Sequence, residues 1–223
     1  MKIALFDIDS KIPNLALMKL SSYYKSRGCH VALSRKPELI SADLHFASVV
    51  FYSDKSMAKI QRLNELYGRE IVIGGTGADL ETSLANEVDR CFPDYTLYAH
   101  THHAIGFLTR GCNKRCDFCV VPTKEGRLQT NYSNFDDFVP KGQQNVILLD
   151  NNLLASPTAS DLLAEAVKKQ FKINFAQTLD IQYLNEELYD ATRCGCRRRG
   201  GRRRQPGDGS LDHHQLGRLQ ARW

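Results

Sequence analysis

Gly106-Phe107-Leu108-Thr109-Arg110-Gly111-Cys112-Asn113-Lys114-Arg115-Cys116-Asp117-Phe118-Cys119 is the stretch on which the reading of this chain turns. Its first part, together with Ile105, is an apolar run that predicts a buried strand over 105–109. Its second part places three thiols within eight residues, at spacings of four and three. Seven cysteines in all, an odd number with three crowded together, argue against a disulfide framework and for a metal site in a reducing compartment.

Working outward from the motif, the pattern past it alternates strand and helix. Val146-Ile147-Leu148-Leu149 predicts a second buried strand, 162–167 a helix, 173–175 a third strand and 184–191 a third helix. Three β/α units follow from that. Ahead of the motif the same alternation occurs. Ile3-Ala4-Leu5-Phe6 predicts a strand, and Ile12, Leu15, Ala16, Leu20 and Tyr23 recur at helical spacing up to Gly28. Short strands are expected over 29–33, 48–52 and 71–73. A helix runs through Met57, Ile60, Leu63 and Leu66 to Gly68, and a short one is expected over 80–86. The fold class expected is therefore α/β, with a small doubly wound domain over 1–95, a linker over 96–104 and a second α/β domain over 105–192.

Hydrophobic residues make up 42% of the chain, enough to fill such cores, and no eighteen-residue apolar run suggests a membrane span. The N-terminus MKIALFDIDS is too short and too acidic for a signal peptide, so a cytoplasmic protein without membrane partners is expected. The net charge of +5 is concentrated at one end: residues 193–223 hold nine Arg, no Lys and two Asp. The rest of the chain is nearly neutral.

Three thiolates can ligate three irons of a 4Fe-4S cube, which leaves the fourth iron open to a substrate or cofactor. A structural zinc with a remote fourth ligand is the bland alternative, but zinc usually pairs one C-x₂₋₄-C with a matched second pair, and the body of the chain offers none. Cys-x₃-Cys-x-Phe-Cys after an apolar strand is similar to the cluster loop of the radical S-adenosylmethionine (SAM) superfamily. The longer phrase GFLTRGCNKRCDFCVVPTKEGR resembles a branch of that superfamily with an N-terminal cobalamin-binding-like domain. The resemblance covers about residues 1–192. It implies a cobalamin-binding-like domain followed by a radical SAM partial (β/α) barrel, truncated after three of six strands. It also implies reductive cleavage of SAM to a 5′-deoxyadenosyl radical that abstracts hydrogen from an unknown substrate, with a one-electron donor such as flavodoxin or ferredoxin as partner.

Carried over by position, Cys112, Cys116 and Cys119 become the cluster ligands and Phe118 the residue flanking the adenine. The superfamily often places Gly-Gly-Glu after its second barrel strand to hold the SAM amino group. Here Asp150-Asn151-Asn152 stands there, a departure that keeps one carboxylate and two amide acceptors. Gln177 and Asp180, beyond the third strand, become candidates for ribose or substrate contacts. Lys124 and Arg127 could meet an anionic group.

Other signals are weaker. Gly74-Gly75 resembles the glycine pair that admits a cobalamin tail, but Asp7-Ile8-Asp9-Ser10-Lys11-Ile12 lacks the histidine of the Asp-x-His-x-x-Gly loop, so the fold is expected more than the cofactor. His100, His102 and His103 are read as solvated, and Cys29 and Cys91 as small packing residues. The arginine-rich segment 193–223 has too little apolar content to order itself. It is read as an out-of-frame or chimeric end or, in a second reading, as a nucleic-acid arm on a non-catalytic iron–sulfur or zinc module.

Overall fold

Alternate residues of β1 (Lys2–Asp7) face two different cores, and this sets the architecture of the N-terminal part. Ile3 and Leu5 pack with Leu17 and Leu20 of α1 (Leu15–Lys25), whereas Ala4, Phe6 and the following Ile8 pack with Leu63 and Tyr67 of α2 (Asp54–Tyr67). A strand buried on both faces needs a helix on each, and the continuous apolar run of β1 is the sequence form of that demand. Each fully buried side chain such as Phe6 or Leu5 contributes about 1.5–3 kcal/mol relative to exposure. In this computed structural model, which describes residues 1–99, 101–177, 179–186 and 188–189, β2 (His30–Ser34), β1, β3 (Leu44–Ser48) and β4 (Ile71–Gly74) form a parallel sheet in the order β2-β1-β3-β4. Both helices are capped at their N-termini by side chains. Asn14 Oδ1 accepts from Leu17 N at 3.2 Å, Ser53 Oγ accepts from Ser56 N at 3.1 Å, and Gly68 terminates α2.

Two local expectations differ from the structure. The strand expected over 48–52 is instead β3, four residues earlier at its start. The Asp9 carboxylate accepts from the backbone N–H groups of Val50 at 2.8 Å and Phe51 at 3.0 Å, so these residues leave the ladder and Val50, Phe51 and Tyr52 face outward. The helix expected over 80–86 appears as α3 (Asn86–Asp89). Asp79 Oδ1 accepts from Glu81 N and Thr82 N, a local turn that competes with helix formation at that point.

The second parallel sheet has the sequential order β5-β6-β7, from Ala104–Gly106, Asn145–Leu148 and Lys172–Phe175. Leu163 and Ala166 of α5 (Ala159–Lys168) cover one face together with Phe135 and Phe138. On the opposite face Ile105 and Ile147 meet Leu15 of α1, so the two sheets share packing. The connector between them is also anchored on both sides. Tyr98 donates to buried Asp7 at 2.9 Å, while Tyr95 donates to Phe138 O at 2.6 Å and accepts from Ile105 N at 3.0 Å. Burial pushes the Tyr95 phenol up to about 12.

The protein is thus α/β with two parallel sheets. Among the described residues, no helix is long and apolar enough to cross a membrane. The end of the helix expected over 184–191 and all of segment 193–223 lie outside the described residues. Leu188 is described, and it is buried in the core of the second sheet.

Candidate metal centre

Three consecutive side chains after β6 hold the entrance to the cysteine loop, one residue after another. Asp150 is 5% exposed and accepts from Leu108 N at 3.1 Å, Thr109 N at 2.5 Å and Thr109 Oγ1 at 2.8 Å. Asn151 Oδ1 accepts from Gly111 N at 3.0 Å. Asn152 Nδ2 donates to Cys112 Sγ at 3.4 Å. The short β5 therefore continues into a segment that is fixed by side chains rather than by a ladder. Burial raises the Asp150 carboxyl to about 6, although its bonds from Thr109 and Leu108 pull the other way.

The loop is closed at its base. Arg110 and Gln129 form an antiparallel bridge, with N···O distances of 3.2 and 2.8 Å, and Cys112 N donates to Gly126 O at 3.2 Å. Gly111 makes this approach possible: it sits at φ +82°, and a Cβ there would lie 2.5 Å from Arg127 O. Within the loop, Lys114 N donates to Cys112 Sγ at 3.4 Å and Cys119 N to Cys116 O at 3.0 Å, and α4 (Val121–Lys124) leads out.

Cys112 and Cys119 are partly buried and Cys116 is exposed, all three unbridged. Among the described residues, no three His, Cys, Asp or Glu side chains are gathered closely enough to hold a metal ion. The loop brings the three thiols into one short segment without converging them, and convergence of thiolates is a step that a bound metal itself drives. The chemistry of the donor set, three soft thiolates, fits a thiophilic metal, an iron–sulfur cluster and zinc alike. A second observation fits a bound group at this place. Asn152 Oδ1 is buried without a partner, and the same amide contacts Cys112. A buried acceptor left unpaired costs about 1–3 kcal/mol, which a hydrogen-bond donor on a ligand would recover.

The other expected positions fall as follows. Asp180 forms an ion pair with Lys114 at 2.5 Å, and that hydrogen bond holds its carboxyl below its ordinary value. Lys114 also donates to Gln182 Oε1 at 2.8 Å, and Asn113 Nδ2 donates to Tyr183 OH at 2.8 Å, so the segment after β7 grips the middle of the cysteine loop. Gln177 is exposed beyond β7, and Phe118, at 91% exposure, projects from the loop. Lys124 donates to the carbonyls of Asp79 and Thr82, and Arg127 is exposed. His102 and His103 are exposed, and His100 lies outside the described residues. Gly75, at φ +102°, packs on the backbone of Val49, where an added Cβ would be 2.2 Å from the carbonyl oxygen. Contact within the chain thus accounts for that glycine.

A partly buried ionic cluster at the base of the loop leaves little pattern along the sequence. Arg110 Nη1 donates to Asp89 Oδ2 at 2.9 Å and to Tyr132 OH at 2.8 Å, and its Nε pairs with Glu125. Tyr132 OH and Lys19 Nζ also donate to Asp89. Burial pulls the Asp89 carboxyl up, but the bonds from Tyr132 and Lys19 outweigh it and hold it below its ordinary value. Burial also pushes the Tyr132 phenol up to about 12. Arg110 and Glu125 flank the motif with opposite charges, which is the one signal the sequence offers; Lys19 and Asp89 are too distant along the chain to be linked by pattern. No family model matches the chain, and no curated protein matches it.

Proposed function

We propose that this chain is a radical SAM protein in which Cys112, Cys116 and Cys119 hold a 4Fe-4S cluster. When bound, such a cluster supplies the electron that splits SAM reductively into methionine and a 5′-deoxyadenosyl radical, which abstracts hydrogen from a substrate. The observation that carries the reading is the junction of Asp150-Asn151-Asn152 with the cysteine loop. The polar triplet after β6 holds Leu108, Thr109, Gly111 and Cys112 and leaves one buried acceptor, Asn152 Oδ1, beside the first thiol.

In this reading each residue has a defined task. Asp150 and Asn151 orient the entrance to the loop, and Asn152 accepts a hydrogen bond from the ammonium group of SAM. Phe118 covers the adenine. Asp180 and its partner Lys114 hold the loop against the segment after β7, and Gln177 stands at the edge where the ribose or the substrate would sit. The sequential parallel order β5-β6-β7 suits the first half of a (β/α) barrel, whose ligands gather at the C-terminal strand ends. The order β2-β1-β3-β4 with helices on both faces suits a cobalamin-binding-like domain. A flavodoxin or ferredoxin would deliver the electron.

Anaerobic reconstitution with iron and sulfide, followed by SAM and dithionite, tests the proposal. Expected are about four irons per chain, a brown protein and 5′-deoxyadenosine among the products. A colourless chain that retains no iron, or one that retains iron and yields no deoxyadenosine, would refute the cluster or the SAM chemistry respectively.

A further inference from the structure

We infer that Asp89, which belongs to the N-terminal part of the chain, is a positioning residue for the cysteine loop and acts through Arg110. The inference rests on the reading of Cys112, Cys116 and Cys119 as metal ligands, but it concerns a different region of the molecule. Arg110 stands two residues before Cys112, and Glu125 six residues after Cys119. The guanidinium joins them: its Nε pairs with Glu125, while its Nη1 reaches Asp89 at 2.9 Å. Both ends of the loop are thereby tied to one side chain, and that side chain to α3.

The neighbouring contacts repeat the pattern. Lys19 of α1 donates to Asp89 Oδ1 at 2.9 Å, Tyr132 donates to Asp89 Oδ2, and Arg90 Nη1 donates to Tyr132 O at 3.0 Å. Lys124, at the end of α4, donates to the carbonyls of Asp79 at 3.2 Å and Thr82 at 2.5 Å. Segment 79–90 therefore touches the exit of the loop at Lys124 and its two-ended base at Arg110.

Charge at this place is poorly explained by stability alone. Lys19 and Asp89 have side-chain exposures of 9% and 19%, Arg110 and Glu125 of 22% and 15%, and two cations balance two anions. In a partly buried ionic group of this kind desolvation offsets much of the Coulombic gain, so stability alone does not favour ions over apolar residues of the same volume. What ions add is direction. A guanidinium presents its donors in a rigid planar fork, so two carboxylates bound to it are held at a fixed angle to each other. Apolar packing supplies no such angle between the ends of a loop.

The experiment follows from that contrast. In the metal-free chain, the alkylation rate of each cysteine is measured by mass spectrometry for the wild type, for Asp89→Asn and for the double variant Lys19→Met/Asp89→Leu. The double variant removes one cation and one anion together and replaces them with apolar residues, so it keeps its fold where Asp89→Asn fails to. Expected is a roughly tenfold faster reaction at Cys112 and Cys119, since local opening governs access to partly buried groups, with Cys29 unchanged and the thermal midpoint of the double variant preserved. Unchanged rates at Cys112 and Cys119 in a folded variant would overturn the inference. So would a parallel rise at Cys29, which would mean general loosening. A wild-type chain that takes up no iron would defeat the metal reading and leave the alkylation result to decide the role of Asp89 by itself.

Discussion

The side-chain amide of Asn152 donates to Cys112 Sγ at 3.4 Å while its own carbonyl oxygen, buried in the same place, meets no partner. A half-satisfied amide is a poor choice for stability. If Asn152 serves binding instead, Asn152→Leu should leave the metal-free chain within about 1 kcal/mol of the wild type, because the lost bonds to Cys112 Sγ and to the Asp180 carboxylate are largely offset by removal of a buried orphan. SAM affinity of the reconstituted protein should fall by about tenfold or more, equivalent to about 1.4 kcal/mol. Urea unfolding and equilibrium dialysis give the two numbers. A large loss of stability with unchanged SAM affinity would assign Asn152 to the fold.

Asp150 should behave in the opposite way. Asp150→Ala removes the acceptor for Leu108 N, Thr109 N and the Thr109 hydroxyl, all in a region closed to solvent. With each orphan costing about 1–3 kcal/mol and some relaxation, a loss of about 3 kcal/mol is expected in urea unfolding. A loss below about 1 kcal/mol would mean that water reaches these groups.

The same carboxyl gives a pH signature. Burial raises it to about 6 in the folded chain against an ordinary 3.8, so between those values the folded state binds the proton more tightly than the unfolded one. Stability contributed by Asp150 therefore falls as pH rises from about 4 to about 6, and is level above. Asp94 acts elsewhere on the scale: the bonds from Lys25, Ser21 and Thr96 outweigh burial and hold it at about 2, so its contribution is lost only as pH falls below the ordinary value. Urea midpoints from pH 4 to 7 should decline in the wild type relative to Asp150→Asn. Parallel profiles would refute the assignment.

How much of this was legible in the sequence depends on how locally each feature is encoded. Ser53 and Gly68 bracket α2 by cap chemistry that depends on neighbours alone, and the helix lies where the spacing of Met57, Ile60, Leu63 and Leu66 predicts it. β3 lies ahead of the expected 48–52 because Asp9, some forty residues away, withdraws Val50 and Phe51 from the ladder, and no window along the chain contains that bond. The cysteine spacing and the Asp150-Asn151-Asn152 triplet were visible as motifs. That each member of the triplet meets a different residue of the loop depends on the pairing of β5 with β6, which is a tertiary fact. The tie between Asp89 and Arg110 is of the same kind.

Gly75 illustrates a glycine demanded by the chain itself. It adopts φ +102° and faces the backbone of Val49 so closely that an added Cβ would stand 2.2 Å from the carbonyl oxygen. Gly75→Ala should destabilise the chain by about 2–4 kcal/mol, from backbone strain and overpacking together, in the absence of any ligand. Circular dichroism melts of both proteins with and without added cobalamin separate the two uses of this glycine. An unchanged melting temperature in Gly75→Ala without cobalamin would show that the loop moves aside.

The cysteines themselves offer the sharpest separation of ligand from scaffold. Cys116 is exposed and Cys112 and Cys119 are only partly buried, so replacing any of them with Ala removes little packing and should change the stability of the metal-free chain by no more than about 0.5–1 kcal/mol. If each supplies one thiolate to a cluster, each replacement should nonetheless remove more than about half of the iron taken up on anaerobic reconstitution, since a cube held by two thiolates is labile. Cys29 and Cys91 are similarly half-buried but stand apart from the loop, so Cys29→Ala and Cys91→Ala should keep the full iron content. Iron and sulfide analysis of the five variants, set beside their urea midpoints, distinguishes the alternatives. Iron loss that follows stability loss across all five would point to unfolding, whereas iron loss confined to Cys112, Cys116 and Cys119 at constant midpoint identifies them as ligands.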